Sequence, residues 1–344
     1  MSKTETIQNV DQLDDLLSQP PEYLIDAMSR IQGDLVILGV GGKMGPTLAR
    51  MARIASEKAG VSRRITGVSR FSDTNLREKL HVWGIETIAA DLLDENVYTD
   101  LPDADNVMIM TGVKFGTSGN QSLTWAMNTY MPALATSRYR NSRIAAFSTG
   151  NVYPFSPICE GGSQETDALV PVGEYATSVL GRERMYEYFS LKYNLPTALL
   201  RLNYACELRY GVIVDLAQKI WSDQPVDVSM GAFNVIWQAD ANAMALAALE
   251  HADSPPYILN IAGPETLSVR RTCEALADRM GKQVQITGEE APSALLNNGQ
   301  KGHQQFGYPA VSSLQMIEWI ADWVKNDGAY HGKPTKFEVR DGKF

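Results

Sequence analysis

Short apolar runs alternate with helix-like patterns over residues 35–202 of the chain. The first run, "LVIL" at 35–38, is apolar at every position, which is typical of a strand buried on both faces. Similar runs occupy residues 63–70, 85–90, 106–112, 143–149 and 196–202. Helical patterns lie between them, at 45–59, 73–83, 121–138 and 175–193. Strands that alternate with helices in this way predict an α/β fold with a parallel, doubly wound sheet.

Composition narrows the classes of function that suit such a fold. The chain has 344 residues, 44% of them apolar, and a net charge of −9, which argues against nucleic acid as a partner. No apolar run reaches the length of a membrane span, so no membrane partner is expected. The N-terminus lacks the pattern of a secretory signal, and the three cysteines are widely spaced. A cytoplasmic protein without a disulfide framework or a metal site is therefore expected.

A glycine-rich turn follows the first strand. In "LGVGGKMGPTLA", Gly39, Gly42 and Gly45 lie three residues apart, and a helix begins near Gly45. Glycine lets backbone N–H groups approach a pyrophosphate, which the positive end of the helix also attracts. Between a buried strand and a helix, this spacing predicts a dinucleotide-binding loop, with an ordinary turn as the alternative. The cofactor contacts predicted here are Gly39, Gly42, Lys43, Met44 and Gly45.

The end of the second strand bears on the choice of cofactor. A carboxylate there would hydrogen-bond the adenosine ribose, but this strand ends in Ser69 and Arg70. A hydroxyl and a guanidinium suit a 2′-phosphate, so NADP is somewhat favoured over NAD, the alternative being that Arg70 is a solvated surface residue. Asp91, at the end of the third strand, is expected to accept a hydrogen bond from the adenine amino group. Further cofactor contacts are predicted at Leu92, Thr111 and Gly112.

Three segments follow one another in an informative order: "LGVGGKMG", "FSTGNVYP" and "EYATSV". Together they resemble the extended short-chain dehydrogenase/reductase family, in particular its NAD-dependent nucleotide-sugar epimerases and dehydratases. The resemblance covers most of the chain, since "LRLNYA" and "FNVIWQADANAMALAALE" are similar to later elements of that family. It implies an NAD(P)-dependent oxidoreductase or epimerase that acts on a sugar-like or other hydroxy/keto small molecule. It also implies a homodimer that pairs through the helix bearing the tyrosine and the helix before it.

On this basis the chain is divided into three parts. Residues 1–32 are predicted to form an N-terminal helical extension. Residues 33–205, joined by 232–262, are predicted to form a Rossmann domain that binds the dinucleotide. Residues 206–231 and 263–344 are predicted to form a smaller substrate-binding region and the tail. The polar closing segment, "KNDGAYHGKPTKFEVRDGKF", is interpreted as either a loose tail or an interface arm.

The resemblance also implies roles for individual residues. Thr149 would hydrogen-bond a substrate carbonyl or hydroxyl, with Ser148 as a neighbouring alternative. Tyr175 would be the general acid/base that moves the hydroxyl proton while hydride moves to or from the cofactor. Substrate contacts are expected at Ser148, Asn151, Asn203, Tyr204 and Arg209. For Arg209, a structural ion pair is an equal alternative.

The chain departs from the family four positions after Tyr175. A lysine there hydrogen-bonds the nicotinamide ribose and lowers the pKa of the tyrosine, whereas this chain has Val179. Lys114, in the loop after the fourth strand, is the predicted substitute and the third catalytic residue, with a solvated loop lysine as the alternative. Arg182 shares a helix face with Tyr175 but lies two turns away, so we expect it to be too far.

Two further departures narrow the reaction. Dehydratases of the family carry an Asp-Glu pair directly after the catalytic threonine, where this chain has Gly150 and Asn151. A 4,6-dehydratase is therefore disfavoured. The substrate loop reads "RLNY" at 201–204 in place of the family's Arg-x-x-Asn. The pocket is therefore expected to recognise something other than an ordinary nucleotide sugar.

Two functions remain open from the sequence. The first is catalysis by hydride transfer, as simple oxidation and reduction or as epimerisation, which the presence of Thr149 and Tyr175 favours. The second is an NAD(P)-binding sensor or scaffold protein with lost or very slow catalysis, which Val179 favours. The fold alone does not decide between them, because function depends on the site.

Overall fold

The computed structural model describes residues 7–114 and 119–343. Its strands there are β1 (Leu35–Leu38), β2 (Ile65–Ser69), β3 (Glu86–Ala89), β4 (Asn106–Ile109), β5 (Arg143–Thr149), β6 (Ser156–Pro157), β7 (Thr197–Leu202), β8 (Ala205–Cys206), β9 (Val226–Asp227), β10 (Ala232–Phe233), β11 (Ile236–Trp237), β12 (Tyr257–Ile261), β13 (Leu267–Ser268), β14 (Ile286–Thr287) and β15 (Ser293–Ala294). Six of the seven long strands coincide with the apolar runs of the sequence, so the predicted α/β sheet is confirmed.

The central sheet of the described residues has seven parallel strands in the order β12-β7-β5-β4-β1-β2-β3. The chain runs outward from β1 to β3 on one side and from β4 to β12 on the other. The order therefore reverses between β1 and β4, and ligands of doubly wound sheets bind beyond the carboxyl ends of the strands at such a point.

Helices lie on both faces of this sheet and in the C-terminal part of the chain. They are α1 (Val10–Leu17), α2 (Glu22–Arg30), α3 (Gly45–Lys58), α4 (Thr74–Val82), α5 (Gln121–Trp125), α6 (Met131–Arg138), α7 (Gly173–Tyr193), α8 (Val212–Trp221), α9 (Gln238–Ala247), α10 (Val269–Met280), α11 (Gln300–Phe306) and α12 (Ser313–Lys325). The four helices predicted between the strands are confirmed. The one predicted over 121–138 is interrupted by a π-helical turn, Ala126–Tyr130, between α5 and α6.

The first strand illustrates how the sheet is buried. Leu35 and Ile37 pack in the core on one face, whereas Val36 and Leu38 pack in the core on the other. Each of these side chains is at most 1% exposed. Successive residues of a strand point to opposite faces, so a run that is apolar at every position fits a strand covered on both sides.

Two glycines of the loop after β1 are required by close packing. Gly39 has φ of +90°, and a Cβ atom there would lie 2.9 Å from the backbone nitrogen of Thr111. A Cβ atom at Gly45, the first residue of α3, would lie 2.3 Å from the carbonyl oxygen of Val40. Neither position therefore has room for a side chain, so this course of the loop after β1 requires glycine at both.

The remaining elements flank this sheet. Helices α1 and α2 pack against α3 and α9, while α8, α10 and α12 pack together in the C-terminal part. The predicted domain boundaries stay predictions, and their ends at 1 and 344 lie outside the described residues. No helix within the described residues is both long enough and apolar enough to span a membrane.

Candidate active site

A cavity of about 450 Å³ opens beyond the carboxyl ends of the central strands. This volume lies within the range of small-molecule sites, roughly 300–1,000 Å³. Of the predicted site residues, the cavity is lined by Gly39, Gly42, Lys43, Met44, Gly45, Thr111, Gly112, Lys114, Ser148, Thr149, Asn151, Tyr175, Asn203 and Tyr204. These residues are far apart in sequence, and the parallel sheet brings them together because its strands end at one edge.

Thr149 and Tyr175 lie together on the cavity wall. Thr149 is the last residue of β5, and Tyr175 lies in the first turn of α7. The Thr149 hydroxyl donates to the side-chain oxygen of Asn151 over 3.0 Å, and Thr149 lies near enough to Tyr175 to act on the pKa of its phenol. Burial raises the pKa of Tyr175, while Thr149 and the charge of Arg182 act in the opposite direction.

Val179 does not face this cavity. Its side chain is fully buried and packs in a small apolar cluster with Val152 and Tyr153. The position that carries lysine in the family is thus part of the core here. A cation that acts on Tyr175 must therefore come from another position than 179.

Lys114 lies in the segment after β4 and lines the cavity. Its ammonium nitrogen lies 5.9 Å from the ring centroid of Tyr175 and 5.8 Å from that of Tyr204. The same nitrogen donates a hydrogen bond to the carbonyl oxygen of Thr335 over 3.2 Å. Burial and the charge of Lys43 lower the pKa of Lys114 to about 8. Lys114 is therefore a partly desolvated cation beside the tyrosine.

Arg182 also lines the cavity, contrary to the expectation that it lies too far from Tyr175. Its charge acts to lower the pKa of Tyr175, although its guanidinium is held by protein oxygens. It donates to the carbonyl oxygen of Phe147 over 2.9 Å and to the side-chain oxygen of Asn128 over 2.6 Å. The expectation failed because distance along the helix axis ignores the reach of a long arginine side chain.

Asn128 is a site residue that sequence reasoning missed. It is fully buried in the π-helical turn, accepts a hydrogen bond from the backbone N–H of Val113, and donates to the Val113 carbonyl, each over 3.0 Å. It thus braces the backbone directly before Lys114. The sequence gives no signal of this turn, because its apolar spacing is that of an ordinary helix.

The glycine loop forms another part of the wall. Gly41 and Gly42 line the cavity without side chains, and the ammonium of Lys43 lies 3.4 Å from the ring centroid of Tyr210. Burial, together with the charge of Lys333, lowers the pKa of Lys43 to about 8. The loop therefore presents backbone groups and one positive charge to the cavity.

The remaining predicted cofactor residues lie outside the cavity lining. Ser69 adjoins the glycine loop, since a Cβ atom at Gly41 would lie 2.5 Å from its hydroxyl oxygen. Arg70 is exposed, and the carboxylate of Asp91 accepts a hydrogen bond from the backbone N–H of Leu93 over 3.1 Å. Leu92 is 5% exposed and packs in the core. Their contacts with a cofactor stay predictions.

The predicted substrate residues are placed differently from one another. Ser148 lines the cavity, but its hydroxyl donates to the buried carboxylate of Glu183. Asn203 lines it too, and its amide donates to the side-chain oxygen of Asn234 over 2.6 Å. Both polar groups are therefore already engaged within the protein.

Arg209 is absent from the cavity lining among the described residues. Its guanidinium pairs with Asp14 and with Glu207, each over 3.0 Å. Both carboxylates are nearly buried, so the pairing is part of the packing between the N-terminal helices and the segment after β8. The ion-pair alternative describes the position of Arg209, and its contact with a substrate stays a prediction.

Asn297 occupies the space beside Gly150. A Cβ atom at Gly150 would lie 2.5 Å from the side-chain oxygen of Asn297, which is itself 1% exposed. The backbone of Asn297 is held by Asn234, whose amide donates to the Asn297 carbonyl over 2.7 Å. The Asn297 side chain therefore fills the space that a side chain at position 150 would need, which explains why glycine follows Thr149.

The closing segment of the chain completes the cavity. We call residues 328–343 the C-terminal strap, of which Lys333 and Thr335 line the cavity. Phe337 of this strap is 2% exposed and packs against Phe233. In the described residues the strap is thus a packed part of the molecule and not a loose tail, while the interface arm stays a prediction.

The cavity is positively charged. Four cationic side chains line it, those of Lys43, Lys114, Arg182 and Lys333, whereas no carboxylate of the described residues does. Like charges that face one low-dielectric space repel each other unless an anion joins them. The cavity therefore suits a ligand that carries negative charge.

Comparison with solved structures identifies the fold. UDP-glucuronic acid 4-epimerase from Bacillus cereus, in complex with NAD, is 18% identical, with a TM-score of 0.71 over 85% of this chain and 98% of that one. The dTDP-glucose 4,6-dehydratase from Streptomyces venezuelae, with NAD bound, is 16% identical, with a TM-score of 0.72 over 86% and 97%. UDP-glucose 4-epimerase from Thermotoga maritima, with UDP-glucose, is 14% identical, with a TM-score of 0.68 over 86% and 99%.

The chain has the fold of these epimerases and dehydratases. The resemblance to the extended short-chain dehydrogenase/reductase family is thereby confirmed at the level of the fold. No protein-family model matches the chain, and no curated protein matches it. At these identities the shared fold leaves the reaction to be argued from the residues of the cavity.

Proposed function

We propose that the protein is an NAD(P)-dependent oxidoreductase or epimerase that acts on a sugar-like or other hydroxy/keto small molecule by hydride transfer. The observation that carries this proposal is that Thr149 and Tyr175, at the end of β5 and the start of α7, both line the cavity that the glycine loop also lines. A proton donor and an orienting hydroxyl thus lie beside a cradle for a dinucleotide, which is the arrangement that hydride transfer to or from a carbonyl requires.

The residues present fit a dinucleotide cofactor. Gly41 and Gly42 leave room for a pyrophosphate against the backbone, α3 begins at Gly45, and Lys43 adds a positive charge. When bound, the nicotinamide accepts a hydride from the substrate carbon or returns one to it. The solved structures named above contain NAD in two cases, which makes NAD the first cofactor to test beside NADP.

The proton is handled by the protein. Thr149 holds the substrate oxygen, and the ionised Tyr175 takes the hydroxyl proton as the C–H bond breaks, so that the carbinol becomes a carbonyl. In the reverse direction Tyr175 returns the proton. Epimerisation and simple oxidation share this first step and differ only in the face to which hydride returns. Both therefore need the same pair of hydroxyls.

The positive charge that favours ionisation of Tyr175 is not at position 179, one turn after it, but on Lys114 and Arg182. Lys114 lies with its ammonium 5.9 Å from the Tyr175 ring centroid, and the charge of Arg182 already favours the phenolate. A nearby positive charge lowers the pKa of an acid by roughly one to three units. Lys114 is the substitute we propose for the lysine that Val179 replaces.

The test is a single-turnover measurement. Purified protein is saturated with NAD⁺ or NADP⁺ and mixed with candidate sugars and hydroxy acids while the absorbance of the reduced nicotinamide is followed. We expect a transient with at least one compound, and we expect Tyr175→Phe to lower its rate by about 10²–10⁴-fold. Tyr308→Phe, an exposed tyrosine outside the cavity lining, is the matched control. A signal that survives Tyr175→Phe unchanged would overturn the assignment of the proton carrier.

A binding protein without fast catalysis is the second candidate. The observation that favours it is the burial of Val179, which leaves the family's lysine position inside the core. Silence across a broad panel, with cofactor binding shown by titration in the same samples, would favour this reading. A transient with any compound would exclude it.

We also infer a homodimer through the helices at 121–138 and 173–193, which pack against each other. Large apolar side chains on them are exposed, namely Leu123, Trp125, Tyr130, Tyr188 and Leu191. Exposed apolar patches of this kind mark protein interfaces. Sedimentation equilibrium should give twice the chain mass of 37.9 kDa, and Leu191→Asp should lower it. A monomeric wild-type protein would exclude this interface.

A further inference from the structure

Asp215 holds the C-terminal strap against the cavity. It lies in α8, is 6% exposed, and has one carboxylate oxygen that accepts two hydrogen bonds from Thr335. The backbone N–H and the hydroxyl of Thr335 each donate to that oxygen over 2.6 Å. Hydrogen bonds to a buried charge are stronger than those between neutral groups, so this pairing fixes the position of Thr335.

Thr335 in turn contacts Lys114. With its N–H and hydroxyl engaged by Asp215, its carbonyl oxygen accepts the hydrogen bond from the Lys114 ammonium over 3.2 Å. That ammonium lies 5.9 Å from the ring centroid of Tyr175. Three contacts therefore link a buried carboxylate on α8, through the strap, to the cation beside the tyrosine.

We propose that Thr335, held by Asp215, is a positioning residue that keeps the Lys114 ammonium beside Tyr175. The inference rests on the proposed function of Lys114 as the substitute cation. Thr335 itself does not contact the reacting atoms. The strap is thereby a part of the active site, although its sequence resembles a polar tail.

A lysine in this position needs such a restraint. Its side chain has four rotatable bonds and carries a charge that burial disfavours, so without a fixed acceptor it would turn towards water. The charged groups that act on Lys114 are Lys43 and Lys336, which disfavour the ammonium, and Asp215 and Glu338, which favour it. Asp215 therefore acts twice, once by its charge and once by holding the acceptor.

The strap is anchored independently at its other end. The guanidinium of Arg340 donates to the carbonyl oxygen and to the hydroxyl of Ser293, each over 2.8 Å. Phe337 fills a place in the core beside Phe233. A change at Thr335 is therefore expected to weaken the hold on Lys114 locally and to leave the strap attached.

Competitive labelling with acetic anhydride tests the proposal without any need for turnover. The acetylation of Lys114 is followed by peptide mass spectrometry over a range of pH. The midpoint of the curve reports the pKa of the amine, and the plateau at high pH reports its accessibility. The variants are Thr335→Val and Asp215→Asn. The matched control is Glu338→Gln, which removes a carboxylate that acts on Lys114 but pairs with Lys219 instead.

We expect the plateau to rise by about fivefold in Thr335→Val, the effect of one lost hydrogen bond, and by more in Asp215→Asn. In Glu338→Gln the midpoint should fall while the plateau stays at the wild-type value. Plateaus in Thr335→Val and Asp215→Asn that match the control would overturn the proposal. If Asp215→Asn does not fold, the comparison of Thr335→Val with Glu338→Gln decides alone.

A role for Lys114 in turnover is a separate question. Where a transient is found, Thr335→Val should lower its rate and leave cofactor affinity unchanged. Raised labelling with an unchanged rate would contradict the catalytic role of Lys114 while upholding the restraint. Unchanged labelling of Lys114 in Thr335→Val would contradict the proposed restraint, whether or not the rate changes.

Discussion

The ammonium nitrogen of Lys114 lies 5.9 Å from the ring centroid of Tyr175, whereas Val179, one helical turn after Tyr175, faces the core. Lys114 thus approaches the tyrosine from the loop after β4, whereas Arg182 acts on it from the tyrosine's own helix. Coulombic action depends on distance and dielectric and not on the element that carries the charge. A site can therefore lose the family's lysine and still keep a positive charge at its tyrosine.

Replacement of Lys114 by methionine should slow hydride transfer. Methionine keeps most of the side-chain volume but removes the charge, so the pKa of Tyr175 rises and less phenolate forms. We expect the single-turnover rate to fall roughly tenfold to thousandfold, the equivalent of one to three pKa units. The measurement is the rate of nicotinamide reduction under single-turnover conditions with the substrate that gives a transient.

The control for that experiment is Lys192→Met. Lys192 lies in the last turn of α7, on the surface, beside the rings of Tyr188 and Tyr193. Its loss should leave the rate unchanged. Equal rates in wild type and Lys114→Met would assign the role to Arg182, whose charge also favours the Tyr175 phenolate.

The buried position of Lys114 also predicts a dependence of stability on pH. Its pKa is lowered from 10.5 in the unfolded chain to about 8 in the folded protein. Between these values the unfolded chain binds the proton and the folded protein does not, so stability rises with pH across this window. The free energy of unfolding of the wild type, relative to Lys114→Met, should therefore increase from pH 8 to pH 10.5 and stay constant below pH 8.

Urea denaturation of both proteins at several pH values measures this difference. Several buried tyrosines, such as Tyr98, have raised pKa values and lower the stability of both proteins alike at high pH, so their effect cancels. Parallel curves for the two proteins across the window would show that Lys114 is solvated in solution.

Much of the site follows from patterns that the sequence carries locally. "LVIL" is apolar at every position, and the glycine loop follows it directly, so both the sheet and the cradle could be predicted. Lys114 and Thr149 each follow or end a predicted strand, and parallel strands end at one edge. Their presence in one cavity is therefore a consequence of topology, which the alternation of strands and helices already indicates.

The remainder depends on contacts between distant segments. The strap is polar and has no periodicity, and its course is fixed by Asp215 and by the insertion of Phe337 into the core. Arg209 carries no sign that its partner is Asp14 in the first helix. Such pairings are decided by tertiary packing, and a single sequence contains no pattern that reports them.

The choice between the two nicotinamide cofactors can be tested at Arg70. It is exposed, beside Ser69 at the end of β2, where a 2′-phosphate of NADP would lie. Loss of a hydrogen bond to a charged group costs about 1.5–3 kcal/mol, so Arg70→Ala should weaken NADP⁺ binding by roughly ten- to a hundredfold and leave NAD⁺ binding nearly unchanged. Titration of tryptophan fluorescence with each cofactor gives both dissociation constants.

Arg77→Ala is the matched control for this titration. Arg77 lies in α4 and donates to the hydroxyl of Thr87 over 2.9 Å. It should alter neither affinity. Equal losses of affinity for NADP⁺ and NAD⁺ in Arg70→Ala would mean that Arg70 does not distinguish the two cofactors. The predicted preference for NADP would then be wrong.

The contact between Gly150 and Asn297 predicts why this chain does not accept an acidic residue after Thr149. A Cβ atom at Gly150 would lie 2.5 Å from the Asn297 side-chain oxygen, and the backbone of Asn297 is fixed by Asn234. Gly150→Ala should therefore lower the free energy of unfolding by about 1–3 kcal/mol through overpacking. Gly119→Ala is the control, because apart from its chain neighbours no atom of the described residues lies within 4 Å of the Cβ position there.

A double-mutant cycle with Asn297→Ala completes the test. If the loss in Gly150→Ala arises from this one contact, the double variant should be more stable than the sum of the two single losses implies, because the smaller side chain at 297 makes room. Urea denaturation of the four proteins measures the coupling. Additive losses would show that Asn297 withdraws freely from Gly150, and the absence of the dehydratase's acidic pair would then have no steric cause.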